Sequence, residues 1–208
     1  MLSISSKTTD SRPIVVAISG GIGSGKSVVC RIVSALGYEV YDCDREARML
    51  MDSSSEIKER LKAEIHPKAL AETGEINRKA ISEVVFADAA KLNRLNEIVH
   101  GAVRNDLTRH INSTDAEIIF VETAILYQSG LDRMADYVWE VTAPRTLRVE
   151  RVMARNGLTP DEVTARIESQ EAYTPSEPHP RVATIINDGV APLLPYVEKL
   201  LENINRNT

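Results

Sequence analysis

This sequence contains few aromatic residues and has no excess of positive charge. Aromatic residues make up 4% of the 208 residues, which disfavours the base-stacking platforms that bind single-stranded nucleic acid. The formal net charge of -5 argues against a general nucleic-acid or membrane-surface binder. We therefore expect no nucleic-acid partner, and any anion-binding site must be local.

Cysteines and long apolar runs are equally limited. The two cysteines, Cys30 and Cys43, form no CxxC pair, which disfavours a disulfide framework or a structural zinc site. No apolar run approaches about 18 residues, and no signal-peptide core follows the N-terminus. These features favour a cytoplasmic protein without a membrane partner. The polar residues 1–12 are interpreted as a flexible N-terminal extension.

The first apolar segment and the glycines after it carry the strongest functional signal. The run from Ile14 to Ile18 is typical of a strand buried on both faces, and residues 20–27 then fit G-x-x-x-x-G-K-[ST]. Glycines let backbone N–H groups approach a polyphosphate, and the next helix presents its positive end to the same anion. A turn without a ligand is the alternative, but the complete motif in strand and helix context disfavours it. Lys26 is expected to reach the β- and γ-phosphates of a nucleotide, and the Ser27 hydroxyl to ligate Mg²⁺.

The predicted nucleotide-binding residues of this loop are Gly21, Ile22, Gly23, Ser24, Gly25, Lys26, Ser27 and Val28.

Two acidic residues follow the predicted second strand, Tyr38 to Tyr41. Asp42 and Asp44 alternate along the chain there, on either side of Cys43. Ligands of open α/β sheets lie beyond the carboxyl ends of the strands, so one of the two carboxylates should face the phosphate loop. The alternative is a helix N-cap and a solvated charge.

Residues 53–112 show apolar residues at helical spacing without a strand pattern. Ser54 and Asn77 stand at predicted helix starts. Such a block between strands is a candidate substrate-binding insertion. Its basic residues are mostly expected on solvated helix faces: Arg78, Lys79, Arg94, Arg104 and Arg109.

The second half of the sequence alternates strands with helices. Strands are predicted at 117–122 and 137–141 and at the ATIIND segment, and a helical hairpin spans roughly 145–172. Thr159 and Pro160 mark the start of its second helix. The hairpin arginines can neutralise a transferring phosphoryl group or pair with nearby glutamates: Arg148, Arg151, Arg155 and Arg166.

The fold predicted from this order is an α/β fold of the P-loop NTPase type. It has a mainly parallel five-stranded sheet with helices on both faces, plus inserted helical substrate-binding and lid subdomains. The nucleotide-binding core is expected to comprise residues 13–52, 113–144 and 182–208. Residues 53–112 form the acceptor-binding insertion, and residues 145–181 the lid.

A phosphate loop alone does not separate a kinase from a GTPase or a binding module. The GTPase signature N-K-x-D is absent, and two inserted helical blocks suit a small-molecule kinase. The segments SGGIGSGKS, DCDREAR, GEINRKAISEVVF, LNEIVH, RVMARNGLT and IINDG together resemble the dephospho-CoA kinase family. The resemblance runs from about residue 14 to residue 190. It departs from the family at Gly101, which replaces a proline, and at ETAIL in 122–126, which replaces D-V-P-L-L.

This resemblance implies ATP-dependent phosphorylation of the ribose 3′-hydroxyl of dephospho-CoA, with Mg²⁺ as cofactor. By position, Asp44 matches the catalytic aspartate, with Lys26 and Arg151 as further catalytic residues. Arg155 and Asn187 match nucleotide-side positions, and the acceptor-side positions are Asp44, Arg48, Arg78 and His100. Another small-molecule or nucleoside monophosphate kinase is the alternative, followed by a non-catalytic regulatory module. The sequence leaves the oligomeric state open.

Overall fold

The computed structural model describes residues 12–173, 175 and 177–206 of the chain. Five strands form one sheet in the order β2-β3-β1-β4-β5, and all four neighbouring pairs are parallel. The strands are β1 (Ile14–Ser19), β2 (Glu39–Asp42), β3 (Ile118–Glu122), β4 (Tyr137–Thr142) and β5 (Val182–Ile186). The predicted parallel five-stranded α/β sheet is confirmed.

Eight α-helices accompany the sheet in the described part of the chain. They are α1 (Lys26–Ala35), α2 (Cys43–Ser53), α3 (Ser55–Arg60), α4 (Arg78–Ala87), α5 (Ala89–Ser113), α6 (Arg145–Asn156), α7 (Pro160–Glu171) and α8 (Leu194–Arg206). A π-helical turn, Leu61–Ile65, follows α3, and a 3₁₀ turn, Leu131–Met134, precedes β4. None of the described helices is both long and apolar enough to cross a membrane.

Strand β1 lies at the centre of the sheet because its continuous apolar run suits burial on both faces. It pairs with β3 on one side and β4 on the other. Residues Val15 to Ile18 are at most 1% exposed. Since all strands are parallel, their carboxyl ends meet at one edge, which brings together loops that are far apart in sequence.

The helices cover the two faces of the sheet with separate apolar cores. On one face, α1 and α8 pack over a cluster that contains Phe120 and Trp139, whose ring centroids lie 5.0 Å apart. On the other face, the C-terminal half of α5 packs on the sheet through Val103, Leu107 and Ile111. The helices on both faces thus hold in place the edge of the sheet at which the strands end.

The helical block after α2 has an apolar core of its own, which includes Leu61, Ile81 and Ile98. Ser54 caps α3 and Asn77 caps α4, as the sequence predicted. Helix α5 contributes Ile98 to this core and Val103 to the sheet core, so one continuous helix connects the insertion to the sheet.

Helices α6 and α7 form the predicted hairpin. Helix α6 ends at Gly157, whose φ is 65°. Thr159 and Glu162 form a reciprocal capping box at the start of α7, with Pro160 in its first turn. Buried Val152 and Ile167 contribute to a small core between the two helices.

The predicted N-terminal extension and the predicted linker after α7 lie partly outside the described residues. Residues 1–11 of the expected N-terminal extension lie outside them, and Arg12 is not free, because its guanidinium bonds the Asp136 carboxylate at 2.7 Å. Residues 174 and 176 of the linker after α7 also lie outside. The linker residue His179 is within hydrogen-bond distance of the Ala135 carbonyl oxygen, at 3.1 Å.

Candidate active site

The phosphate loop lies between the central strand β1 and helix α1, as the sequence predicted. Gly25 occupies the N-cap position of α1 with φ 96°, and no described side chain caps that helix. No side-chain cap from the described residues therefore competes with an anion at the start of α1, where the positive end of the helix favours negative charge.

Gly25 could not be replaced by a larger residue without disturbing the loop. Its positive φ disfavours other residues, and a Cβ atom there would overlap the side-chain amide of Asn187. Asn187 is 7% exposed and donates from Nδ2 to the Ser24 carbonyl oxygen at 2.9 Å. The residue predicted on the nucleotide side thus contacts the phosphate loop from the end of β5.

The Lys26 side chain folds back over the loop. Its Nζ donates to the Gly20 carbonyl oxygen at 2.6 Å. Burial lowers the pKa of Lys26, while the nearby carboxylates of Glu122, Asp44 and Glu140 act against that shift. Lys26 lines a cleft of about 460 Å³ in which several predicted residues meet.

Asp44 lies in that cleft, whereas Asp42 does not. The sequence analysis expected one of the two carboxylates to face the phosphate loop, and Asp44 is the one in the cleft, because helix α2 already begins at Cys43. Asp42 is the N-cap and accepts from the Arg45 backbone N–H at 3.0 Å. Asp44 falls in the first turn of α2, where the helix dipole stabilises a carboxylate. Because α2 begins between them, Asp42 caps the helix and Asp44 lines the cleft.

Glu122 is a cleft residue that the site prediction did not include. It ends β3 beside β1 and lines the same cleft as Asp44. Burial, together with Glu122, raises the pKa of Cys30, so this thiol stays protonated. An acidic residue at the end of a buried strand next to the loop strand was the available sequence signal.

Two hairpin arginines reach the cleft. Arg151 donates to the Asn187 side-chain oxygen at 3.2 Å, and it also lies near the Ser24 carbonyl oxygen, at 3.5 Å. Arg155 lines the cleft one turn further along α6 and bonds the Asn156 side chain. The structure thus brings both predicted lid arginines beside the phosphate loop and Asn187.

The other two hairpin arginines are placed differently. Arg148 bonds the Ile22 carbonyl oxygen from behind the loop and lines a second cavity instead of the cleft. Arg166 is exposed on α7. Of the four hairpin arginines, only Arg151 and Arg155 line the cleft, so these two are the candidates to neutralise a phosphoryl group.

Of the four predicted acceptor-side residues, Asp44 lines the cleft, whereas Arg48, Arg78 and His100 lie outside its lining. Arg48 is exposed on α2, and Arg78 pairs with Asp52 at 2.9 Å. His100 is half-buried on α5, where burial and the neighbouring Arg104 lower its pKa. Their roles stay predictions.

A five-stranded parallel sheet with this strand order, a phosphate loop after the central strand and carboxylates facing the loop lysine define a P-loop kinase, a transferase that uses ATP. The family comparison is more specific. Residues 14–189 match the family model described as dephospho-CoA kinase, and the chain belongs to that family.

Individual relatives agree with this assignment. A dephospho-CoA kinase from Porphyromonas gingivalis is 34% identical over 191 residues, covering 92% of this chain and 94% of the relative. One from Thermus thermophilus is 34% identical and covers 87% of this chain and 85% of the relative. Among solved structures, a Thermus thermophilus protein superposes with a TM-score of 0.72 at 31% identity, covering 95% of this chain and 98% of that one. A dephospho-CoA kinase from Campylobacter jejuni, with a TM-score of 0.60 and 20% identity over 93% of this chain and 98% of that one, shows the same fold.

Proposed function

We propose that this protein transfers the γ-phosphoryl group of ATP to the ribose 3′-hydroxyl of dephospho-CoA, giving CoA and ADP. The observation that carries the proposal is the shared cleft, in which Asp44 and Lys26 both line the space beside the phosphate loop. Membership of the dephospho-CoA kinase family supplies the acceptor. The reaction completes coenzyme A synthesis.

The loop, the lysine and the lid arginines hold the phosphates of ATP. The N–H groups of Ile22, Ser24 and Val28 bond within the protein, so the other backbone N–H groups of residues 21–28 cradle the polyphosphate. The Lys26 ammonium offsets charge on the β- and γ-phosphates. Arg151 and Arg155 contribute positive charge from α6, while Asn187 supports the loop at Ser24. Phosphoryl transfer passes through a loose transition state, so this positioning and neutralisation account for most of the catalysis.

Asp44 orients the acceptor and takes its proton. The bond between the ribose 3′ oxygen and the γ-phosphorus forms as the bond to the β,γ-bridging oxygen breaks, and the hydroxyl proton passes to the Asp44 carboxylate. Asp44 suits this role because it is exposed to the cleft at the start of α2 and close enough to Lys26 to influence its pKa.

The oxygen atoms in the cleft fit Mg²⁺. The Ser27 hydroxyl and the carboxylates of Asp44 and Glu122 line the same space, and Mg²⁺ prefers oxygen ligands. Among the described residues, no group of three or more His, Cys, Asp or Glu side chains could hold a metal ion. We therefore assign Ser27 as a ligand of an ion that ATP itself helps to bind. When bound beside Ser27, Mg²⁺ would supply positive charge that offsets the charge of the nucleotide phosphates.

The insertion, residues 53–112, is assigned to the acceptor, and residues 145–181 to the lid over the core of residues 13–52, 113–144 and 182–208. Arg78 pairs with Asp52 in an exposed ion pair, which is weak, so the acceptor's diphosphate can take its place. Arg48 offers a second exposed cation on α2. The lowered pKa of His100 keeps its ring neutral near pH 7, which suits hydrogen bonding to an uncharged part of the acceptor.

A coupled ADP-release assay tests the proposal. With ATP and Mg²⁺, dephospho-CoA should raise ADP release far above the no-acceptor control, and phosphorus NMR of the product should show a 3′-phosphomonoester. Nucleoside monophosphates and other small alcohols serve as competing acceptors. A preference for one of them indicates another small-molecule kinase, and nucleotide binding without ADP release for any acceptor indicates a regulatory module. Cytoplasmic location stays a prediction.

A further inference from the structure

Ile22, at the tip of the phosphate loop, makes several contacts with the hairpin of α6 and α7. The Ile22 backbone N–H donates to Oε1 of Gln170 at 2.7 Å, and the Ile22 carbonyl oxygen accepts from Nε of Arg148 at 3.0 Å. The Ile22 side chain packs against the apolar core of the hairpin, beside Val152 and Ile167. Both backbone polar groups and the side chain of Ile22 are thus held by one supersecondary unit.

Arg148 is itself held firmly. Its guanidinium pairs with Glu171 at 2.7 Å, and its side chain is only 11% exposed. The glycines on both sides of Ile22 lie directly against it. A Cβ atom on Gly23 would come within 2.6 Å of the Arg148 carbonyl oxygen, and one on Gly21 would overlap the guanidinium. Loop residues 21–23 therefore rest on the first turn of α6.

These contacts determine the direction of the neighbouring loop amides. In a trans peptide, the C=O and N–H groups point in opposite directions. Arg148 holds the Ile22 carbonyl, so the N–H of Gly23 in the same peptide points away from the Arg148 guanidinium. Gly23 lines the cleft, whereas Arg148 does not. Gln170 holds the Ile22 N–H, and the Gly21 carbonyl of that peptide accepts from the Ser24 N–H at 3.1 Å.

We propose that Arg148 and Gln170 are positioning residues for ATP, which act through the backbone of Ile22 and aim the Gly23 N–H at the nucleotide phosphates. The inference rests on the proposed function only in taking ATP as the ligand of the cleft. The base of the hairpin is then a fixed support of the loop, and not a cover that swings away. A releasable latch is disfavoured because release would break two hydrogen bonds and an apolar contact together.

Direct ATP binding to the full chain, measured by calorimetry without acceptor, tests the proposal. The variants are Gln170→Met, Arg148→Met and the double variant. The matched control is Arg145→Met, which breaks the exposed Arg145–Glu168 ion pair (2.6 Å) between the same two helices. Thermal melting checks that each variant is folded, and the half-buried position of Gln170 makes that variant the least disruptive.

Gln170→Met should weaken ATP binding about tenfold, because the Ile22 N–H loses its partner. Arg148→Met should weaken it at least as much, and the double variant by clearly less than the product, since both side chains hold one residue. In the kinase assay, KM for ATP should rise while KM for dephospho-CoA stays unchanged.

ATP binding by Gln170→Met within about twofold of the unaltered protein would overturn the proposal, and tighter binding would identify Gln170 as a latch that competes with nucleotide. Equal losses of ATP affinity in Arg145→Met and Arg148→Met would show that the effect comes from general packing of the hairpin, which would also overturn the proposal. Because the binding comparison needs no acceptor, it holds even if dephospho-CoA is not the substrate.

Discussion

Replacing Asp44 with asparagine removes one negative charge from the cleft and keeps the size of the side chain. Asp44 is exposed in the first turn of α2, so the loss of its favourable interaction with the helix dipole should cost about 0.3–1 kcal/mol of stability. If its carboxylate takes the hydroxyl proton, kcat should fall roughly 10²- to 10⁴-fold. At about 1.36 kcal/mol per tenfold, this equals about 2.7–5.4 kcal/mol of transition-state stabilisation. The catalytic effect therefore far exceeds the effect on folding.

The same substitution should leave ATP affinity intact. Asp44 is one of the carboxylates that act on Lys26, after Glu122 and ahead of Glu140. Removing it takes away a negative charge that repels the triphosphate, so KM for ATP should stay constant or fall. A lower kcat with an unchanged KM for ATP distinguishes a lost proton acceptor from a damaged nucleotide site.

The assay is initial-rate ADP release with ATP and dephospho-CoA varied separately. Asp42→Asn is the matched control, because Asp42 caps α2 through the Arg45 N–H and asparagine caps a helix about as well as aspartate. The control should keep activity within about threefold. A folded Asp44→Asn protein with kcat near that of the unaltered enzyme would refute the role of Asp44. Equal losses in both variants would assign the effect to the start of α2.

Three further outcomes follow from the cleft. Gly25→Ala should abolish ATP binding because its Cβ overlaps Asn187, whereas Gly74→Ala, with φ 79° but no atom within 4 Å, should cost only about 1–2 kcal/mol in a melting experiment. Because burial lowers the pKa of Lys26, the ammonium loses its proton at a lower pH than an ordinary lysine, so KM for ATP should rise with pH on the alkaline side; a flat profile would contradict this. Glu122→Gln should raise the Mg²⁺ concentration for half-maximal rate about tenfold, which a magnesium titration measures.

Local sequence signals were sufficient for the elements and for the phosphate loop. The apolar run of β1 and the cap, proline and acids at the start of α7 each depend on neighbours within a few residues. Asp42 and Asp44 show how far such reasoning reached. The strand pattern of 38–41 predicted that one of the two carboxylates would face the loop, but it did not reveal that α2 begins at Cys43, which decides that Asp44 is the one.

Long-range contacts were not available from the sequence. Gln170 and Arg148 meet Ile22 across 148 and 126 residues, so no local pattern indicates the contact. Glu122 was treated only as part of a departure from the family pattern, because its nearness to Lys26 depends on the pairing of β3 with β1. The residues that were missed are those whose positions depend on the assembled sheet edge.

The spacing of the arginines on α6 explains how one helix both supports the loop and lines the cleft. Arg148, Arg151 and Arg155 follow one another at intervals of three and four residues, so they form one stripe along the helix. The first bonds Ile22 behind the loop, the second reaches Asn187, and the third lines the cleft. A rotation of the base of α6 would displace the loop tip and both cleft arginines together. Lid closure over ATP should therefore be confined to the distal end of the hairpin around Gly157, where a Cβ atom would meet no other atom within 4 Å.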